Sequence, residues 1–93
     1  MTDIDVLMAR ALRDPEVKAK YDRLGPIYVL VFELVEARHR AGLTQAQLAE
    51  RMGTTQSAIA RLENARHMPS LGMAARYAEA MGQRLDIHLE AAE

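Results

Sequence analysis

Apolar residues recur along the first half of the chain with the spacing of amphipathic helices. Residues 3–13 carry them at positions i, i+3, i+4, i+7 and i+8, which form one face of a helix. Residues 14–24 continue the pattern in a second predicted helix. Asp14 suits the cap of this helix, and Pro15 suits its first position. The segment 26–41 begins apolar almost all round, which predicts a helix that is buried on more than one side.

The next two predicted helices are short and lie close together. Thr44 can cap the first of them, and Gln47, three residues later, completes a capping box. Gly53 should end this helix, because glycine tolerates the left-handed backbone of a sharp turn. Thr55 then caps a second helix over residues 56–64. Two short helices joined by a tight glycine turn make a helix-turn-helix, whose second helix can read base edges in DNA.

The pattern changes once more near the C-terminus. Ser70 is the predicted cap of a helix over residues 71–81, and Gly82 is its predicted end. Beyond it, apolar and polar residues alternate strictly, as in a half-buried strand; the apolar ones are Leu85, Ile87 and Leu89. A lone strand cannot satisfy its backbone groups, so we expect it to pair with the same strand of a second copy and to hold a homodimer. The alternative is a frayed extension of the last helix, which Gly82 disfavours.

Composition narrows the class of protein. A chain of 93 residues makes one small domain. The absence of cysteine excludes disulfides, thiolate zinc sites and cysteine nucleophiles. No segment reaches the roughly 18 apolar residues of a membrane span, and no signal peptide is visible, so we expect a cytoplasmic protein. The three histidines lack a second ligand at a metal-binding spacing, and we therefore expect no metal site, no cofactor and no catalytic residues.

The charge is unevenly distributed although the net charge is only −1. Residues 38–66 carry five arginines against two glutamates, a balance of +3. Residues 83–93 carry one arginine against three acidic residues, a balance of −2. Positive charge is thus concentrated around the motif, as expected of a surface that meets phosphate. The alternative interpretation is an ordinary solvated helical face.

The run LAERMGTTQSAIARLEN, with GLTQAQLA leading into it and MPSL after it, resembles the XRE family of phage-repressor and Cro-like DNA-binding domains. The resemblance covers roughly residues 26–82. It implies an all-α, lambda-repressor-like helix-turn-helix bundle of about six helices, here with a short dimerising β-strand at the C-terminus. Residues 1–25 would be an N-terminal helical extension and residues 83–93 the C-terminal strand or tail. This chain has Ala65 where the family usually has glycine after the recognition helix.

The resemblance also implies which residues meet DNA. Gln45 would contact phosphate, and the residues that open the recognition helix would contact bases or the adjacent backbone. Arg61, one turn further along, would read a base edge. The expected DNA-binding residues are Gln45, Thr54, Thr55, Gln56, Ser57, Arg61, Asn64 and Arg66. The expected partner is a double-stranded DNA operator with an inverted repeat, bound by a homodimer.

The order of the segments resembles a narrower group, the HigA-like antitoxins of type II toxin–antitoxin pairs. The segments DPEVKAKYDRLGPIYVLVFELVEARHRAGLTQ and GQRLDIHL carry this resemblance. It implies that the protein neutralises a small basic ribonuclease toxin and represses the operon that encodes both. The toxin would contact the apolar stripes of the N-terminal extension, which contain Ile4, Leu7, Met8, Val17, Tyr21 and Leu24. Two alternatives remain open: a stand-alone repressor or phage regulator without a toxin, and an interaction module that keeps the fold without reading DNA.

Overall fold

The computed structural model describes residues 3–92, and it describes the side chains of residues 6–23 and 25–92. Six α-helices follow one another in this part of the chain. They are α1 (Asp3–Ala11), α2 (Pro15–Leu24), α3 (Pro26–Arg40), α4 (Gln45–Met52), α5 (Gln56–Glu63) and α6 (Leu71–Glu79). The predicted all-helical bundle is therefore confirmed for the described residues. None of these helices is long and apolar enough to cross a membrane.

Capping side chains set the ends of the motif helices. The Thr44 hydroxyl accepts a hydrogen bond from the Gln47 amide at 3.0 Å, and the Gln47 side chain accepts one from the Thr44 amide at 2.9 Å. This is the predicted capping box, and such a cap typically contributes about 1 kcal/mol. Gly53 has the predicted left-handed conformation, with φ of 67°. Thr55 and Ser70 cap α5 and α6 by the same kind of hydrogen bond.

The core lies where α3, α4, α5 and α6 meet. α4 packs on α5 and α6. α3 packs on α2, α5 and α6, so it is the central helix and is covered on more than one side as predicted. The largest fully buried side chains are those of Tyr77, Leu48 and Ile59. The buried cluster consists of Leu34, Leu48, Ala49, Met52, Ile59, Leu62, Ala74, Tyr77 and Ala78. This cluster holds α4 and α5 in a fixed relation, which positions the surface of the motif.

The predicted C-terminal strand is absent from the described residues. After α6 the chain turns at Gly82, which has φ of 75°, and residues 83–92 form no regular element. A strand needs a neighbouring strand to satisfy its backbone groups, and the described residues offer none. Leu85 instead packs against the chain's own core. Ile87 and Leu89 stay 57 % and 98 % exposed, so they are the apolar part of the tail that the single chain leaves uncovered.

Candidate nucleic-acid interface

One face of α5 is anchored in the core and the other is free. Ile59 and Leu62 are buried on the inner face. Gln56, Ser57 and Arg61 are exposed on the outer face, and their side chains form no hydrogen bond or ion pair within the described residues. A short helix that is fixed on one side and presents unpaired polar side chains on the other is the arrangement of a recognition helix.

Two threonines build the turn that leads into α5. The backbone amide of Thr54 donates to the carbonyl oxygen of Ala49 at 2.9 Å, which closes the end of α4. The Thr55 hydroxyl accepts from the amide of Ala58 at 3.1 Å and fixes the first turn of α5. The structure therefore gives both predicted residues a role in the turn, and through it they set the position of Gln56.

Gln45 lies half-buried at the start of α4, close to the far end of α5. Its side-chain amide nitrogen donates to Oε1 of Glu63 at 3.0 Å. This contact fixes the orientation of the Gln45 amide next to a helix N-terminus, where free backbone N–H groups favour an anion. The contact with Glu63 uses one of the two amide hydrogens of Gln45, and the phosphate contact expected of this residue stays a prediction.

Glu63 is the centre of a buried polar network that sequence reasoning did not foresee. Nε and Nη2 of Arg38 donate to its two carboxylate oxygens at 2.7 and 2.9 Å. The hydroxyl of Tyr77 donates to Glu63 Oε2 at 2.6 Å. Arg38 also donates from Nη1 to the carbonyl oxygen of Leu43 at 2.9 Å. The network joins α3, α4, α5 and α6 at the base of the recognition helix.

The network shifts the proton affinities of its members. Burial would raise the pKa of Glu63, but the hydrogen bonds from Arg38, Tyr77 and Gln45 outweigh it and hold this pKa below its ordinary value. Burial, followed by the hydrogen bond to Glu63, raises the pKa of Tyr77. Glu63 is thus ionised and Tyr77 protonated at neutral pH, which are the forms that the hydrogen bonds require.

This network changes which charged residues of the segment 38–66 lie on the surface. Arg38 and Glu63 were counted as surface charges, but their side chains are only 10 % and 7 % exposed and they neutralise one another. The exposed balance around the motif is unchanged, because one positive and one negative charge leave it together. The remaining arginines, Arg40, Arg51, Arg61 and Arg66, are exposed, with Glu50 as the exposed acid of the segment.

The chain leaves α5 through a second tight turn. Asn64 is exposed at the C-terminal cap, and its side-chain oxygen accepts from the amide of Arg66 at 3.0 Å. Ala65 has φ of 60° and is 3 % exposed. The left-handed conformation explains why the family usually has glycine at this position. Alanine differs from glycine by a methyl group, which is buried here. The turn leaves the Arg66 side chain exposed beside the recognition helix.

The residues predicted to contact a toxin belong to α1 and α2, which precede the helix-turn-helix in the chain. Leu7, Met8, Val17 and Tyr21 are half-buried, whereas the side chains of Ile4 and Leu24 lie outside the described residues. α1 makes only sparse contacts with the other described helices. Tyr21 lines a cleft of about 610 Å³ between α2, α3 and the tail. The stripes of α1 and α2 are therefore partly covered rather than free.

Comparison with known proteins agrees with this geometry. The helix-turn-helix family profile matches residues 34–87, more than half of the chain. The chain is 47 % identical over 55 residues to a protein of Methanothermobacter thermautotrophicus that is described as an uncharacterized HTH-type transcriptional regulator. The aligned region covers 59 % of this chain and 75 % of that protein. No solved structure matches the chain significantly. The matched region holds α4, α5 and α6 together with Arg38, Glu63 and Tyr77, and the chain therefore belongs to the XRE-type helix-turn-helix family.

Proposed function

We propose that the protein is a sequence-specific DNA-binding regulator of transcription that represses the promoter it covers. The observation that carries the proposal is the outer face of α5, where Gln56, Ser57 and Arg61 are exposed and unpaired within the described residues while the inner face is locked in the core. The related protein of Methanothermobacter thermautotrophicus carries the description of a transcriptional regulator, which supports the same role. Such a role would be exercised in the cytoplasm.

In this proposal α5 enters the major groove and its exposed side chains read bases. The amide of Gln56 can form two hydrogen bonds with adenine, and the guanidinium of Arg61 can form two with guanine. Gln45, held by Glu63, contacts a backbone phosphate, and Thr54, Thr55, Asn64 and Arg66 meet the backbone around the recognition helix. Phosphate contacts position the protein, and the base contacts give the specificity.

A homodimer completes the proposed reading unit, because one recognition helix covers only a few base pairs. A two-fold dimer would place the two copies of α5 about 34 Å apart, one turn of DNA, over an inverted repeat. The exposed Ile87 and Leu89 suit pairing of the tail with the tail of a second copy, whereas Leu85 is already used in the chain's own core. Paired tails would provide the neighbour that the alternating segment lacks in the single chain.

Selection of duplexes from a random-sequence library with the purified protein tests the DNA-binding role. We expect the selected sequences to converge on two half-sites in inverted order, with centres about 10 base pairs apart. A library that shows no enrichment would contradict sequence-specific binding. A single unrepeated half-site would keep the reading role and contradict the two-fold dimer.

A second candidate role is that of an antitoxin that also neutralises a ribonuclease-type toxin. The observation that favours it is α1, which lies outside the region matched by the family profile and makes only sparse contacts with the other described helices. Its Val6 is 39 % exposed, and Leu7 and Met8 are half-buried, so a partner could cover this side of the helix. The stand-alone repressor is the alternative.

Co-expression with the products of the adjacent genes separates the two roles. For an antitoxin, we expect a small basic protein to co-purify and its ribonuclease activity to be suppressed. Leu7→Asp and Met8→Asp should then abolish suppression while operator binding is retained. If no adjacent product binds, the stand-alone repressor is the remaining form of the proposal.

A further inference from the structure

A cleft of about 410 Å³ lies at the C-terminal end of α5. It is lined by Lys20 and Arg23 of α2 and by Asn64, Ala65 and Arg66 of the turn after the recognition helix. Three of its five lining residues are cationic at neutral pH and none is acidic. Lys20 and Arg23 lie more than forty residues before Arg66 in the sequence, and the packing of α2 against α3 helps to hold them beside it.

The cleft continues the face of α5 that is proposed to read bases. Ser57, Arg61 and Asn64 are spaced at i, i+4 and i+7, so they lie along one side of the helix. Asn64 is about 10 Å along the helix axis from Ser57 at 1.5 Å per residue. The major groove is about 12 Å wide, so a helix seated in it places its far end near the bordering sugar-phosphate backbone.

No ion pair within the described part of the chain neutralises the positive charge of the cleft. Lys20, Arg23 and Arg66 are exposed and form no ion pair among the described residues. Asp22 pairs with Lys18 at 2.9 Å and lines the separate cleft beside Tyr21.

Two other acids lie close in the sequence without neutralising the cleft. Glu63, one residue before Asn64, is turned inward and buried against Arg38. Glu16 is exposed one turn before Lys20 on α2, but it forms no ion pair with it. The cleft therefore offers its cations to an outside anion.

We propose that this cleft binds phosphates of the DNA strand that borders the half-site, so that α2 extends the DNA interface beyond the helix-turn-helix. The inference rests on the proposed DNA-binding role and adds a phosphate-binding site formed by Lys20, Arg23 and Arg66. Ammonium and guanidinium groups bind phosphate oxygens with charge-assisted hydrogen bonds. Because phosphates carry no sequence information, the site adds affinity on every duplex and leaves base discrimination unchanged.

The test compares two double variants of the full chain that lose the same charge. Lys20→Ala/Arg23→Ala removes the α2 side of the cleft. Arg10→Ala/Arg13→Ala removes two positive charges from exposed positions of the same N-terminal extension that do not line the cleft and form no ion pair among the described residues. All four side chains are exposed, so both variants should unfold at nearly the temperature of the unmodified protein. Binding is measured against salt concentration on a duplex selected by the protein from a random library and on a scrambled duplex.

We expect the cleft variant to flatten the dependence of log affinity on log salt by about 1.8, because each neutralised phosphate contributes about 0.9. Its affinity should fall on the order of tenfold on both duplexes at physiological salt, with their ratio preserved. Equal slopes for the two double variants would overturn the site. An unmodified protein that binds both duplexes equally would instead overturn the sequence-reading role, so the two failures are distinguishable.

Uncharged methylphosphonates in place of the phosphates that border the half-site give a second measurement. They should weaken the unmodified protein more than the Lys20→Ala/Arg23→Ala variant, because that variant keeps only the Arg66 contact with these phosphates. If both proteins are weakened by the same factor, other residues hold those phosphates and the proposed site is wrong.

Discussion

Arg38 and Glu63 lie 25 residues apart in the sequence, and Nε and Nη2 of Arg38 donate to the two carboxylate oxygens of Glu63 at 2.7 and 2.9 Å. Arg38 belongs to the central helix α3 and Glu63 is the last residue of α5. The pair therefore ties the C-terminal end of the recognition helix to the helix around which the domain is built. Its partners Tyr77 and Gln45 extend the connection to α6 and α4.

Breaking this pair should strongly destabilise the domain. Glu63→Gln keeps the shape of the side chain but leaves the guanidinium of Arg38 buried without a counter-charge, which typically costs about 3–5 kcal/mol. Chemical denaturation measures the change in the free energy of unfolding. Asp22→Asn, which breaks the exposed pair with Lys18, is the control and should cost about 1 kcal/mol or less. A loss for Glu63→Gln as small as that of the control would contradict the importance of the buried network.

Stability should fall in acid because of Glu63. Its pKa in the folded protein lies below the ordinary value of 4.5, so the unfolded chain takes up the proton first as the pH falls. The contribution of Glu63 is thus fully present above about pH 4.5 and is lost progressively as the pH drops towards the folded pKa. Unfolding measured across this range should show a shallower acid dependence for Glu63→Gln than for the unmodified protein. Parallel curves would show that Glu63 does not carry the effect.

Alanine at the reading positions should change specificity and affinity together. Gln56→Ala and Arg61→Ala should each cost about 1–3 kcal/mol on the selected duplex and relax discrimination at one base pair. Gln45→Ala should weaken binding to all sequences about equally, since its predicted contact is to phosphate. Titrations on duplexes with single base changes measure both effects. Unchanged affinity for Arg61→Ala would show that α5 is not seated as proposed.

The tail should control the oligomeric state through its exposed residues. Ile87→Asp/Leu89→Asp should give a folded monomer that binds DNA more weakly, because the proposed tail pairing would be lost. Truncation after Gly82 should also give a mostly helical monomer, but it removes the Leu85 contact with the core as well and should be less stable. Analytical ultracentrifugation measures the association. A dimer that survives both changes would place the interface elsewhere, with the α3 side that contains Phe32 as the next candidate.

Exchanging residues at the two left-handed turns should have unequal effects. Ala65→Gly should relieve about 1–2 kcal/mol of backbone strain in the folded protein. Two losses offset this gain: about 0.8 kcal/mol for the buried methyl group that is removed, and about 0.4–1 kcal/mol because glycine makes the unfolded chain more flexible. The net change in the free energy of unfolding should therefore stay within about 1 kcal/mol. Gly53→Ala gains no contact, since nothing lies within 4 Å of the added carbon. It should destabilise the domain by about 0–1.6 kcal/mol, because the strain of about 1–2 kcal/mol is only partly offset by about 0.4–1 kcal/mol from the stiffer unfolded chain. Thermal unfolding tests both, and a strongly destabilised Ala65→Gly would show that the methyl contact dominates.

Local sequence signals were sufficient for the helices of the motif. The capping box of Thr44 and Gln47 and the turn at Gly53 depend on side chains within a few residues of one another. The inward face of α5 also follows from helical spacing, since Ile59 and Leu62, three residues apart, are both buried. The positions of α5 that face away from the core are exposed, and Gln56 and Arg61 are among them. Their contacts with DNA remain predictions.

Features that depend on distant residues could not be derived in this way. Arg38 and Glu63 look like ordinary surface charges on their own helices, and only the packing of α3 against α5 makes them a buried pair. Lys20 and Arg23 give no local sign that they lie beside Arg66. The tail shows a limit of another kind. The alternation of apolar and polar residues shows how the side chains of the tail would be arranged in a strand. A strand also needs a second strand that pairs with its backbone, and the periodicity of one segment does not show whether such a strand is present.

The two faces of α5 have a consequence for how such a protein can diversify. The stability of the domain depends on the inward residues Ile59 and Leu62 and on Glu63. The residues of α5 that are proposed to contact bases have no partner within the described part of the protein. A new operator preference can therefore arise by replacing Gln56 or Arg61 without a loss of folding free energy that would need compensation elsewhere. Copies of this gene could acquire separate targets while keeping the same scaffold.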